Sequence, residues 1–197
     1  MPIRNAMGLE ATAASALIDE GIGVAPAGSL PWLTVRGHLD SYVQRHAPSS
    51  VLDLLAAVHT KLGGDATVLA GKRSGAVRPD LVVVATGQMI EVDEIQHFTS
   101  AREVSLGYYP ANLPLGYSLN DYRLLVVRHR SDGDRAFAHK RAADFDFAGG
   151  RQAQRAYNDA LRDLLAPTFT GYPVVRVAVP TRSCVPAVRN CLGYIAR

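Results

Sequence analysis

Apolar side chains recur three and four positions apart at Leu9, Ala13, Ala16 and Leu17, and again at Val35, Leu39, Tyr42 and Val43. That spacing predicts helices over residues 8–20 and 34–46, separated by the Gly/Pro-rich loop GIGVAPAGSLPW. A third helix is marked by Pro48 and by Ser50-Val51-Leu52-Asp53, a capping-box variant ahead of Leu54, Leu55, Val58 and Leu62, and it stops at Gly63-Gly64. The pattern then shortens to three strand-like runs, TVLAG (67–71), VRPDLVVVA (77–85) and QMIEVDEI (88–95), rich in Val and Ile. Thr86-Gly87 is tight enough for a hairpin, and the unbroken apolar run Leu81–Val84 predicts a central strand covered on both faces. Helical patterns resume at Ser118, with Asp121 completing a capping box, and near Asp132. The most regular helix follows Gly149-Gly150, with Ala153, Ala156, Tyr157, Ala160, Leu161, Leu164 and Leu165 on its apolar face; Pro167, Gly171 and Pro173 are expected to end it. VVRVAVP (174–180) reads as a last strand before a tail that closes with a helix.

Length and balance sharpen this picture only moderately. A chain of 197 residues, 48% hydrophobic and 20% charged, suits one soluble globular domain with a sizeable core. The net charge of +3 permits attraction to a phosphate backbone without demonstrating it. Its distribution is more informative, because Arg and Lys thicken between Arg123 and Arg162 whereas Asp80–Glu94 holds neither. Cys184 and Cys191 are too few to staple a secreted fold and have no zinc or redox spacing, so two ordinary thiols in a reducing cytoplasm are expected. No segment approaches a membrane span.

Candidate chemistry gathers in the second and third strand-like runs. Side chains alternate faces along a strand, so Glu91 and Asp93 share one face while Ile90, Val92 and Glu94 take the other. With residues 77–85 as hairpin neighbour, Asp80 lies alongside Glu91 and adds a third acid. Carboxylates that close repel one another unless a cation neutralises them. Oxygen ligands without cysteine favour a hard ion such as Mg²⁺, with Mn²⁺ as a substitute, so Asp80, Glu91 and Asp93 are the predicted metal ligands.

The order helix, three strands, helix, strand over roughly residues 50–180, with Arg78-Pro79-Asp80 and then Glu91-Val92-Asp93, resembles the PD-(D/E)XK nuclease superfamily. The resemblance implies a restriction-endonuclease-like αβββαβ core over residues 48–182, built on a mixed sheet flanked by helices. An N-terminal helical segment (1–47), a helical insertion (about 99–147) and a C-terminal tail (183–197) complete it. It further implies metal ligation by Asp80 and Glu91 and hydrolysis of phosphodiester bonds in nucleic acid, DNA ahead of RNA, in repair or in defence; a homodimer is compatible with cutting a duplex. Where the family places a basic residue two beyond the second acid, this chain has Asp93. The fuller string Glu91-Val92-Asp93-Glu94-Ile95-Gln96-His97 is similar to the branch related to very-short-patch repair endonucleases, in which E-x-D is followed by a polar residue or His. On that reading Asp93 binds a second ion or orients the water, and Gln96 or His97 replaces the lysine, ahead of Lys72 or Lys140 reaching in. Arg151, Arg155 and Lys140 are then the expected nucleic-acid contacts.

A second reading keeps the fold and the basic face without catalysis, as a binding module for nucleic acid or protein. The missing lysine favours it; three retained acids oppose it, since a phosphate binder gains nothing from negative charge in its groove. Several other features have ordinary explanations. Asp53 is accounted for by capping, and Tyr108, Tyr109, Tyr117 and Tyr122 fit a core edge better than base stacking. The group Arg128, His129, Arg130, Arg135, Lys140 and Arg141 fits a solvated helical surface as well as a nucleic-acid footprint.

Overall fold

A computed structural model describes residues 8–73 and 75–196. Helix α1 (Leu9–Asp19) leads into β1 (Val24–Pro26), and α2 (Ser41–His46), α3 (Ser49–Lys61) and α4 (Ala66–Gly71) precede the hairpin of β2 (Leu81–Val83) and β3 (Met89–Asp93). Helices α5 (Ser100–Leu106), α6 (Leu119–Arg135) and α7 (Gly150–Thr170) then lead to β4 (Val175–Ala178), and α8 (Cys184–Cys191) follows. The four strands lie in the order β1-β2-β3-β4, the first three antiparallel and β4 parallel to β3. Parallel neighbours need a crossover, which α5 to α7 supply. The protein is therefore α/β, a mixed sheet flanked by helices.

The αβββαβ succession is present but runs through α1, β1, β2, β3, α7 and β4, with α2 to α4 inserted between β1 and β2. TVLAG is a helix and not a strand, because the Asp65 carboxylate caps it by accepting from the amides of Thr67 (2.8 Å) and Val68 (3.1 Å). Its β-branched side chains are exposed, so local capping overrides strand propensity. The missing strand is β1, within the segment expected to be loop; Ala25 pairs with Val82 despite the flanking glycine and proline. Residues 34–46 break into a short turn and α2 because Asp40 caps the latter, accepting from Tyr42 N at 2.9 Å. Helix α3 starts at Ser49 after Pro48 with no side-chain cap, so Asp53 caps nothing. No new helix opens at Asp132, where α6 continues to Arg135. Pro167 sits inside α7, which ends instead at Gly171 in the left-handed conformation (φ +77°). Leu81 and Val83 are buried as a central strand requires, but Val84 has left the sheet and is 67% exposed.

The two faces of the sheet differ in kind. Leu81, Val83, Ile90, Val92, Val175 and Val177 pack against α1 and α8 in an apolar cluster. On the opposite face α7 crosses the sheet, supported by α3, α5 and α6. There β3 presents Glu91 and Asp93, and β4 presents Arg176 in register with Glu91. Gly133 lets α6 approach the turn that follows β3, since a Cβ there would overlap the carbonyl of Phe98.

Candidate functional site

A cleft of about 290 Å³ opens beside the C-terminal half of β3. Asp80 and Glu91 reach it from the hairpin, Glu94, Gln96 and His97 from the turn after β3, and Glu10 from the start of α1. Its other wall is one stripe of α7, formed by Arg151, Arg155, Asn158 and Arg162. Spacings of four, three and four residues put these side chains on a single helical face.

The β2–β3 ladder ends with Leu81 opposite Ile90, and the Asp80 carboxylate takes over from the backbone by accepting from Val92 N at 2.8 Å. Burial raises Asp80 above the ordinary carboxylate range in spite of that hydrogen bond, with Asp93 adding to the rise. Glu91 is pushed up to about 8 by burial; Arg162 pulls it back and Asp80 raises it further. Arg162 Nε lies 3.1 Å from Glu91 Oε1, yet both atoms are buried and neither makes a well-directed hydrogen bond. The guanidinium is anchored elsewhere, donating to the carbonyls of Asn158 (3.2 Å) and Arg78 (3.3 Å).

Asp93 shares a face with Glu91 as alternation requires, but it points into the core behind the cleft. Its oxygens accept from Arg176 Nη1 (2.9 and 3.0 Å) and from the Tyr122 hydroxyl (2.7 Å). Arg176 also donates to Asp163, on which Arg102, Tyr109 and Tyr117 converge. Asp93 is thus paired with an arginine from β4, whereas Glu91 has only the poorly directed guanidinium of Arg162 beside it. His97 bridges this interior and the cleft, with Nδ1 2.9 Å from Asp159 Oδ2 and 3.4 Å from Asp93 Oδ1. Burial alone would raise Asp159, but His97 and Arg176 hold it well below the usual carboxylate range. An ionised carboxylate only accepts, so His97 Nδ1 donates to Asp159 and the ring is held with Nε2 on its other side.

Asp93, His97 and Asp159 each offer a donor atom within 4.8 Å of the others and could hold a metal ion. Within this group Arg176 already sits on Asp93 and lies 3.5 Å from Asp159 Oδ1, the one buried oxygen with no hydrogen bond. The hairpin carboxylates fit a cation differently: both face the cleft, both are raised by burial, and Glu91 Oε1 lacks a hydrogen bond. Oxygen donors of this kind suit a hard divalent ion.

Of the residues expected at the site, Asp80, Glu91, Gln96, His97, Arg151 and Arg155 line the cleft and Asp93 stands behind it. Lys140 does not line it; its Nζ lies 4.4 Å from the centre of the Phe137 ring. Lys72 is committed to Asp144 at 2.7 Å. Arg130, Arg135 and Arg141 pair with Glu103, Asp132 and Asp146 on the surface, and Tyr109, Tyr117 and Tyr122 are buried. Glu10, Asn158, Asp159, Arg162 and Arg176 were not singled out as site residues. Arg176 did carry a signal, since a lone arginine among the valines of VVRVAV needs a buried carboxylate beside it. Comparison with protein-family models, curated proteins and solved structures yields no match, so the chemistry of this cleft is argued from its own residues.

Proposed function

We propose that the protein is a metal-dependent phosphodiester hydrolase acting on nucleic acid, DNA ahead of RNA, related to the PD-(D/E)XK nucleases in the branch that carries E-x-D. The observation that carries this reading is the convergence in one cleft of two burial-raised carboxylates, a carboxylate-oriented histidine and a stripe of arginines. Asp80 and Glu91 would hold Mg²⁺ or Mn²⁺, which when bound lowers the pKa of a coordinated water and stabilises charge on the phosphate. Asp159 fixes the His97 ring so that Nε2 can take a proton from the attacking water, the part expected of the absent lysine. Arg151 and Arg155 bind phosphate oxygens and place the strand along α7. Arg162, beside Glu91, can follow charge as it develops on the phosphate.

The test is cleavage of labelled single-stranded and duplex DNA and RNA with Mg²⁺, Mn²⁺ or EDTA, comparing the native chain with Asp80→Asn, Glu91→Gln and Asp159→Asn. Metal-dependent cutting lost in the first two variants supports the reading. A shifted pH profile in Asp159→Asn supports the histidine's part. Besides the missing lysine, the guanidinium of Arg162 beside Glu91 favours the silent binding module. Strand binding without cutting by any metal would establish it instead.

A further inference from the structure

Phe137 lies in the turn between α6 and α7 with φ +64°. A bulky side chain in the left-handed region is strained, and such strain persists only where the surroundings impose it. The ring is only partly covered, Phe137 being 38% exposed. The turn is nonetheless held firmly. The Gln152 amide of α7 reaches the carbonyls of Gly133 (3.2 Å), Asp134 (2.6 Å) and Ala136 (2.7 Å), and Lys140 N donates to the Phe137 carbonyl at 2.9 Å. Two cations flank the exposed ring, Lys140 Nζ at 4.4 Å and the Arg155 guanidinium carbon at 5.9 Å from its centre, and Arg155 also lines the cleft.

We infer that Phe137 is a stacking platform for an unpaired nucleobase, so that the cleft takes single-stranded nucleic acid with its phosphates along Arg155 and Arg151. The inference rests on the nucleic-acid reading above and names the strand form that reading leaves open. Every base has a π-face, and a base on an aromatic ring is held more strongly than an exposed cation over the same ring. An incoming base therefore displaces a cation from Phe137 and frees it for a phosphate oxygen. A duplex keeps its bases stacked and paired, so it cannot use the platform.

The test titrates oligonucleotides carrying 2-aminopurine, as DNA and as RNA, single-stranded and duplex, with the full chain in EDTA. The native protein, Phe137→Leu, Phe137→Gly and Arg155→Gln are compared. The native chain should quench the single-stranded probe, and both Phe137 variants should lose the quench and bind on the order of tenfold more weakly. Phe137→Gly should unfold close to the native temperature, because relief of the positive-φ strain offsets the packing lost with the partly covered ring. Binding lost while stability is kept separates a platform from a structural residue. Phe137 variants that bind single strands like the native chain, with Arg155→Gln weakened, would overturn the platform and leave the cleft reading standing. Native protein that binds no strand of either kind would overturn both.

Discussion

Asp163 and Glu91 are both buried carboxylates served by arginines, and they are treated in opposite ways. Asp163 accepts from Arg102, Tyr109 and Tyr117 on one oxygen and from Arg176 on the other, and its carboxyl stays below the usual range although burial opposes this. Glu91 faces the cleft with one badly directed guanidinium and a carboxyl pushed up to about 8. A buried charge is tolerable when its hydrogen bonds are complete and costly when they are not. Completeness at Asp163 marks a structural anchor that fixes α5, α7 and β4 together. Incompleteness at Glu91 marks a position kept for something that arrives from solution.

The comparison breaks first at Asp163. Asp163→Ala leaves Arg102 buried without its carboxylate and should lose roughly 3–5 kcal/mol in urea unfolding; a loss near zero would end the anchor reading. Glu91→Gln should act the other way on stability, in a pH-dependent manner. The folded carboxyl holds its proton up to about 8, whereas an unfolded one releases it near its ordinary value of 4.5, so stability falls as pH rises between the two. In metal-free buffer the variant should melt like the native chain near the bottom of that window and higher above it, by up to a few kcal/mol in stability. A variant less stable at the alkaline end would mean that Arg162 satisfies Glu91 after all. Tyr122→Phe removes the hydroxyl donated to Asp93 at 2.7 Å and should cost about 1–3 kcal/mol, read by the same unfolding experiment. Arg130→Ala removes an exposed partner of Glu103 and should cost less than ~1 kcal/mol, a baseline for all three.

Much of the cleft was legible before any fold was known, for a definite reason. Alternation along β3 put Glu91 and Asp93 on one face, and the short turn at Thr86-Gly87 brought Asp80 to their level; both arguments need only nearest neighbours in the chain. Arg151 and Arg155, four apart near the start of α7, were likewise visible, whereas Arg162 was not singled out. What the acidic stretch without Lys or Arg does not show is which arginines reach it from elsewhere in the chain. Ion pairs form across sequence distance: Asp93 meets an arginine 83 residues away.

By itself, then, the sequence determined what short-range periodicity and capping can encode: the α/β class, the hairpin, α7 and β4, and the common face of the acids. Where local signals competed, it was ambiguous, as when Asp65 turned TVLAG into α4 and a glycine-flanked loop supplied β1. Only the tertiary structure decided which acids face solvent and which face arginine. That choice is set by the register Glu91–Arg176 and by the placement of α7 across the sheet. Burial and hydrogen-bond completeness depend on all surrounding elements at once, and no window of residues contains them.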